Sequence, residues 1–102
     1  MTMLTNEQLQ AALDALPGAR VTREYLERRV AKTEFFVLPD STVTVCNLTL
    51  DNGFSVRGES ACVDPANFRK EIGEKVAYER ALDKLWPLFG FLYMELTAQR
   101  GS

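Results

Sequence analysis

Histidine is absent from all 102 residues. Its absence removes Ser–His and Cys–His nucleophilic pairs, histidine metal sites and the usual general base for chemistry near neutral pH. Cysteine is scarce. Cys46 and Cys62 are the only two, too few thiols to close the four-ligand shell of a structural zinc. One disulfide is possible by count, but reduced thiols in a cytosol are the expectation. Long apolar runs are missing too, and no stretch approaches the roughly 20 residues that a membrane-spanning helix needs. Met1 to Leu16 carries Glu7 and Asp14 and no basic residue, so it does not read as a signal or transit peptide. Nor is there an excess of one charge. Twelve basic and 14 acidic residues give a net charge of −2, which supplies no bulk attraction to nucleic acid or anionic lipid. These absences lead to the expectation of a non-enzymatic protein with no metal or cofactor and no membrane partner, and they disfavour nucleic acid as a partner.

What remains is the make-up of an ordinary globular domain, 46% apolar and 25% charged, which excludes a disordered or low-complexity chain. The length suits one domain over residues 1–102. Its expected parts are N-terminal helices over about 4–32, a β-meander over about 34–61 and C-terminal helices over about 65–98.

Leu4 to Leu16 has the start chemistry of a helix. Thr5 and Gln8 have capping-box spacing, Leu4 and Leu9 that of a hydrophobic staple, and Pro17-Gly18 stops the run. Thr22 is placed to cap a second helix reaching about Lys32, with Tyr25, Leu26 and Val30 as its apolar stripe. At Glu34 the period changes. Thr42 to Leu50 is β-branched and apolar, Asp51-Asn52-Gly53 reads as a hairpin turn, and Phe54 to about Ala61 returns as the partner strand. Asp64-Pro65 then signals a long helix to about Leu85, because Asp caps and Pro suits a first helical position. Its broad apolar arc includes Phe68, Ile72, Val76, Tyr78, Leu82, Leu85 and Trp86, with Trp86 expected to be buried. Trp86-Pro87 should break the helix, and the apolar run Leu88 to about Ala98 should follow as a short terminal helix. The predicted fold is α+β: a small antiparallel β-meander packed against a long C-terminal helix, with N-terminal helices outside. The surplus of large apolar side chains after Pro87 predicts a homodimer or higher oligomer, with Phe91 and Met94 at the interface.

The stretch Thr42 to Glu95 resembles a family of small tailed-phage and prophage proteins. The resemblance is carried by the run Gly58-Glu59-Ser60-Ala61-Cys62-Val63-Asp64-Pro65-Ala66-Asn67-Phe68, then Glu71-Ile72-Gly73-Glu74-Lys75-Val76-Ala77, then Ala81-Leu82-Asp83-Lys84-Leu85-Trp86-Pro87-Leu88. It implies a phage accessory protein in the host bacterial cytoplasm, and it brings no catalytic residues with it. A looser likeness in size and layout, to phage proteins that sequester cyclic nucleotide signals of host defence, implies a small nucleotide ligand. Inhibition of a host protein is the other role such proteins commonly take.

Three groups of residues are candidates for binding. Ser60 and Asn67 lie where a strand passes into a helix start, a place that favours anions. The other reading of that segment is construction, with Asp64 capping and Phe68 plugging the core. Arg28 and Arg29 are the cations best placed for a phosphate, and Phe68 or Tyr78 suits stacking on a base. Catalysis by Cys62 has no base to support it and Asp64 close by to oppose it. Glu59 and Asp64 form an acid–base pair only if the fold brings them together. The basic stretch Arg20 to Lys32 offers an alternative, a nucleic-acid-associated role, against the reading of a solvated helix face with internal ion pairs.

Overall fold

The alternation of Thr44, Cys46, Leu48 and Leu50 with Val45, Asn47 and Thr49 decides the architecture, because it gives a strand one buried face. A computed structural model, described for residues 7–8 and 21–101, places this strand at the centre of a three-stranded antiparallel sheet. The elements run α1 (Arg23–Arg29), β1 (Val30–Val37), β2 (Val43–Leu50), β3 (Ser55–Ala61), a 3-10 turn (Pro65–Asn67), α2 (Lys70–Asp83) and α3 (Leu85–Gly101). The sheet order is β1-β2-β3 and α2 lies across β2 and β3, so the fold is the α+β arrangement expected. Glu7 and Gln8 are helical, and the rest of the expected Leu4 to Leu16 helix lies outside the described residues.

Both hairpin turns follow from local chemistry. Gly53 takes a φ of 91°, which the Asn-Gly turn requires, while Asn52 Oδ1 accepts from the Phe54 amide at 3.0 Å. In the first turn Asp40 has a φ of 56°, and the Ser41 hydroxyl donates to the Leu38 carbonyl at 2.8 Å.

Four expectations need correction. The second helix ends at Arg29, not Lys32, and Val30 already begins β1 opposite Leu50. Thr22 caps it as expected, accepting from the Tyr25 amide. Val30 fits helical spacing after Leu26, but strand pairing wins once a bulge between Val30 and Lys32 resets the register. Asp64-Pro65 starts a 3-10 turn instead of the long helix: Phe68 and Arg69 return to extended backbone, and α2 begins at Lys70. The break near Trp86-Pro87 falls two residues earlier, at Lys84. Pro87 then sits in the first turn of α3, where its missing N–H had no intrahelical partner. That reset turns Leu85 and Phe89 into the core and leaves Trp86 39% exposed, so Trp86 is not a core residue.

The core is built on small residues as much as large ones. Ala77 and Ala81 of α2 are fully buried against the sheet, with Leu26, Cys46, Leu48, Leu82 and Leu85 around them. Gly58 permits this. A Cβ there would lie 2.5 Å from the Ala77 carbonyl oxygen, so α2 rests on the bare backbone of β3. Tyr25 closes one end edge-to-face on Phe89, ring centres 5.7 Å apart.

Candidate functional site

The passage from β3 into α2 shapes a cleft of about 330 Å³. Ser60 comes from the end of β3, Asn67 from the 3-10 turn, and Phe68 and Arg69 from the extended link before α2. Ile72, Gly73, Val76 and Arg80 supply one face of α2. Three of the six sequence-predicted binding residues, Ser60, Asn67 and Phe68, therefore meet in one place. Phe68 is half-buried on the cleft wall and does not plug the core, because the chain is still extended there.

Hydrogen bonds both within the turn and between β3 and α2 build this site. Asp64 accepts from the Ala66 amide and from Asn67 Nδ2, both at 3.0 Å, which occupies both its carboxylate oxygens. Ser60 Oγ donates to the Gly73 carbonyl at 2.8 Å and ties β3 to the first turn of α2. Beneath it, Thr44 Oγ1 is buried with no hydrogen-bond partner among the described residues. A Cβ on Gly73 would come within 2.8 Å of that oxygen.

Charge in the cleft is of one sign. Arg69 and Arg80 line it and no carboxylate does. Arg80 Nη1 donates to the Glu59 carbonyl at 2.9 Å, which fixes the guanidinium and leaves its other donors. Arg69 makes no side-chain hydrogen bond or ion pair with the described residues. Sequence reading missed both arginines. Helical spacing relates Ile72, Val76 and Arg80, but it does not say which face of α2 overhangs β3, and Arg69 stands in extended backbone just before the helix.

The remaining candidates stand elsewhere and are already engaged. Arg29 bonds Asp51 at 2.8 Å and the Tyr25 hydroxyl at 3.1 Å, and its guanidinium lies 4.9 Å from the Phe89 ring centre. Burial alone would lower its pKa, and the bonds to Tyr25 and Asp51 reverse that and raise it. Arg28 lies over the Tyr25 ring at 5.9 Å. The Tyr78 hydroxyl donates to Glu27 at 3.0 Å, and Glu79 receives both terminal nitrogens of Arg23 at 2.8 Å. The Arg23 hydrogen bond holds the Glu79 carboxyl below its ordinary range. Lys32 reaches Glu34 at 3.4 Å. Between Arg23 and Lys32 the basic stretch is thus largely matched by carboxylates, and Arg20 lies outside the described residues.

Neither cysteine is arranged as a nucleophile. Burial, with Glu74 nearby, pushes the Cys46 thiol up to about 11. Cys62 stays a free thiol, its Sγ donating to the Asp64 carbonyl at 3.0 Å. Glu59 and Asp64 are not joined: Glu59 projects from the exposed face of β3, and Asp64 is spent on its cap. Among the described residues no cluster of three or more acidic, cysteine or histidine side chains is placed to hold a metal. No helix among them is long and apolar enough to cross a membrane.

Among the described residues, fold and site define a small α+β protein in which β3 of a three-stranded sheet and the helix lying across it shape a cationic cleft. Residues 21–96 match the model of the Phage protein (N4 Gp49/phage Sf6 gene 66) family, and the chain belongs to that family. No curated protein and no solved structure matches the chain.

Proposed function

We propose that this phage protein is a non-enzymatic accessory protein that works by binding, and that the cleft between β3 and α2 takes a small anion of nucleotide type. One observation carries the reading: Arg69 and Arg80 stand with the Phe68 ring in a cleft that no carboxylate lines. Guanidinium groups bind phosphate through paired hydrogen bonds, and an aromatic face beside them suits a base. The volume of about 330 Å³ lies at the small end of ligand sites, which favours a mononucleotide-sized ligand. Sequestration of a nucleotide-type signal of host defence, in the host cytoplasm, is the role that fits such a site. The nucleic-acid alternative through Arg20 to Lys32 is less favoured, because Arg23, Arg29 and Lys32 already face carboxylates.

Inhibition of a host protein rests on a different observation. Phe91 and Met94 of α3 are each 68% exposed, with Trp86 and Leu88 also open beside them. Native mass spectrometry of the protein recovered from phage-infected cells separates the two. A retained nucleotide mass supports the cleft, a retained host polypeptide supports α3, and a bare chain that binds no added nucleotide removes the cleft reading.

A further inference from the structure

β1 is an outer strand of the sheet, and it is apolar on both faces where it runs free. Phe35 and Val37 lie on the helix-side face, opposite Cys46 and Thr44, yet α2 does not reach over them and they are 36% and 46% exposed. Phe36, on the other face, is 50% exposed. The Leu38 amide donates to the Val43 carbonyl, which fixes the alternation of the ladder. Even-numbered residues from Glu34 to Leu38 turn their backbone groups toward β2. Thr33, Phe35 and Val37 turn theirs outward, three N–H and three C=O groups along an edge that no described strand covers. A free apolar edge of this kind is a template for another strand.

We infer that β1 pairs with β1 of a second copy, antiparallel about a two-fold axis through Phe35, to make one continuous sheet across the dimer. A two-fold axis normal to the sheet keeps each face on its own side, so it must pass through a residue and not between two. The sequence of β1 selects which one. Centred on Phe35, the strands place Thr33 opposite Val37 of the second copy and Phe35 opposite itself, and every outward N–H finds an outward C=O. Centred on Glu34, two like charges would stand face to face, and Val37 would meet the bulged Ala31. Centred on Phe36, Thr33 would meet Pro39, which has no N–H to give. Centred on Thr33, Val37 would need Arg29, whose carbonyl already accepts from the Asp51 amide. The Phe35 axis alone satisfies the whole edge without a charge clash. It also stacks the two Phe35 rings side by side in the strip that the described helices do not cover. This interface is separate from the cleft and from the exposed side of α3.

Sedimentation equilibrium over a wide concentration range tests the pairing, with amide hydrogen exchange read residue by residue on the same samples. The expected result is a dimer in which the amides of Thr33, Phe35 and Val37 gain protection with concentration. Phe35→Lys, which sets two ammonium groups against each other on an exposed position, should weaken it on the order of tenfold or more, while Met94→Lys should leave it intact. A chain that stays monomeric throughout overturns the inference. So does a dimer that leaves those three amides exchanging freely, or one that survives Phe35→Lys and is lost with Met94→Lys. The amide readout on the unaltered chain decides the matter even if Phe35→Lys fails to fold.

Discussion

Gly58 and Ala81 meet backbone to backbone: a Cβ on Gly58 would collide with the Ala81 nitrogen and lie 2.5 Å from the Ala77 carbonyl oxygen. Neither obstacle is a side chain that can swing aside, so α2 would have to lift from the sheet. Gly58→Ala should therefore destabilise the fold by about 1–3 kcal/mol or more, read from urea unfolding midpoints. Gly73→Ala should cost less. Its Cβ meets a side-chain oxygen, Thr44 Oγ1, at 2.8 Å, and a helical Gly→Ala change recovers about 1 kcal/mol of propensity. Equal losses for the two variants would contradict the close approach at Gly58.

Thr44→Val removes a buried hydroxyl that has no partner among the described residues. Exchanging it for a methyl of the same shape should stabilise the protein by about 1 kcal/mol, which in a domain of this size raises Tm by roughly 4 °C or more. A lower Tm would mean that Thr44 Oγ1 is satisfied in solution.

Leu85 and Trp86 are neighbours with different fates. Leu85 is fully buried, so Leu85→Ala should cost about 2–5 kcal/mol. Trp86, 39% exposed, should cost clearly less on truncation. As the sole tryptophan, its fluorescence should be quenched readily by acrylamide in the folded state. Resistance to quenching would place Trp86 inside.

Alkaline pH should weaken the fold through Cys46. Its thiol is pushed up to about 11 by burial and by Glu74. The folded state therefore holds the proton where the unfolded chain has lost it, and stability present below the ordinary thiol range declines as pH rises toward that value. Melting curves across this range should fall more steeply for the unaltered protein than for Cys46→Ala. Below it, thiol reagents should label the partly exposed Cys62 while Cys46 stays protected. Parallel curves for the two proteins would remove Cys46 as the cause.

Much of the fold was legible in the sequence, since alternation in Thr42 to Leu50, the Asn52-Gly53 turn and the apolar arc around Leu82 and Leu85 each express a local period. What escaped was decided by tertiary pairing. Val30 sits at helical spacing from Leu26, and its partner Leu50 is distant in sequence. Trp86 lost its core place because the chain resets at Lys84, which no residue type announces. In the cleft, Ser60, Asn67 and Phe68 were legible from the strand-to-helix junction. Arg69 and Arg80 were not, because their role depends on which face of α2 overhangs β3. Arg29 had looked available until Asp51, brought close by the β-hairpin, took its guanidinium.

Anion binding in the cleft is tested most directly by calorimetric titration with a panel of cyclic and linear nucleotides. The unaltered protein should give a saturable signal with at least one of them, and Arg69→Ala, which removes a side chain that makes no hydrogen bond or ion pair with the described residues, should weaken binding roughly 10- to 100-fold while leaving Tm unchanged. No heat with any nucleotide, or binding that Arg69→Ala leaves untouched, would contradict the account.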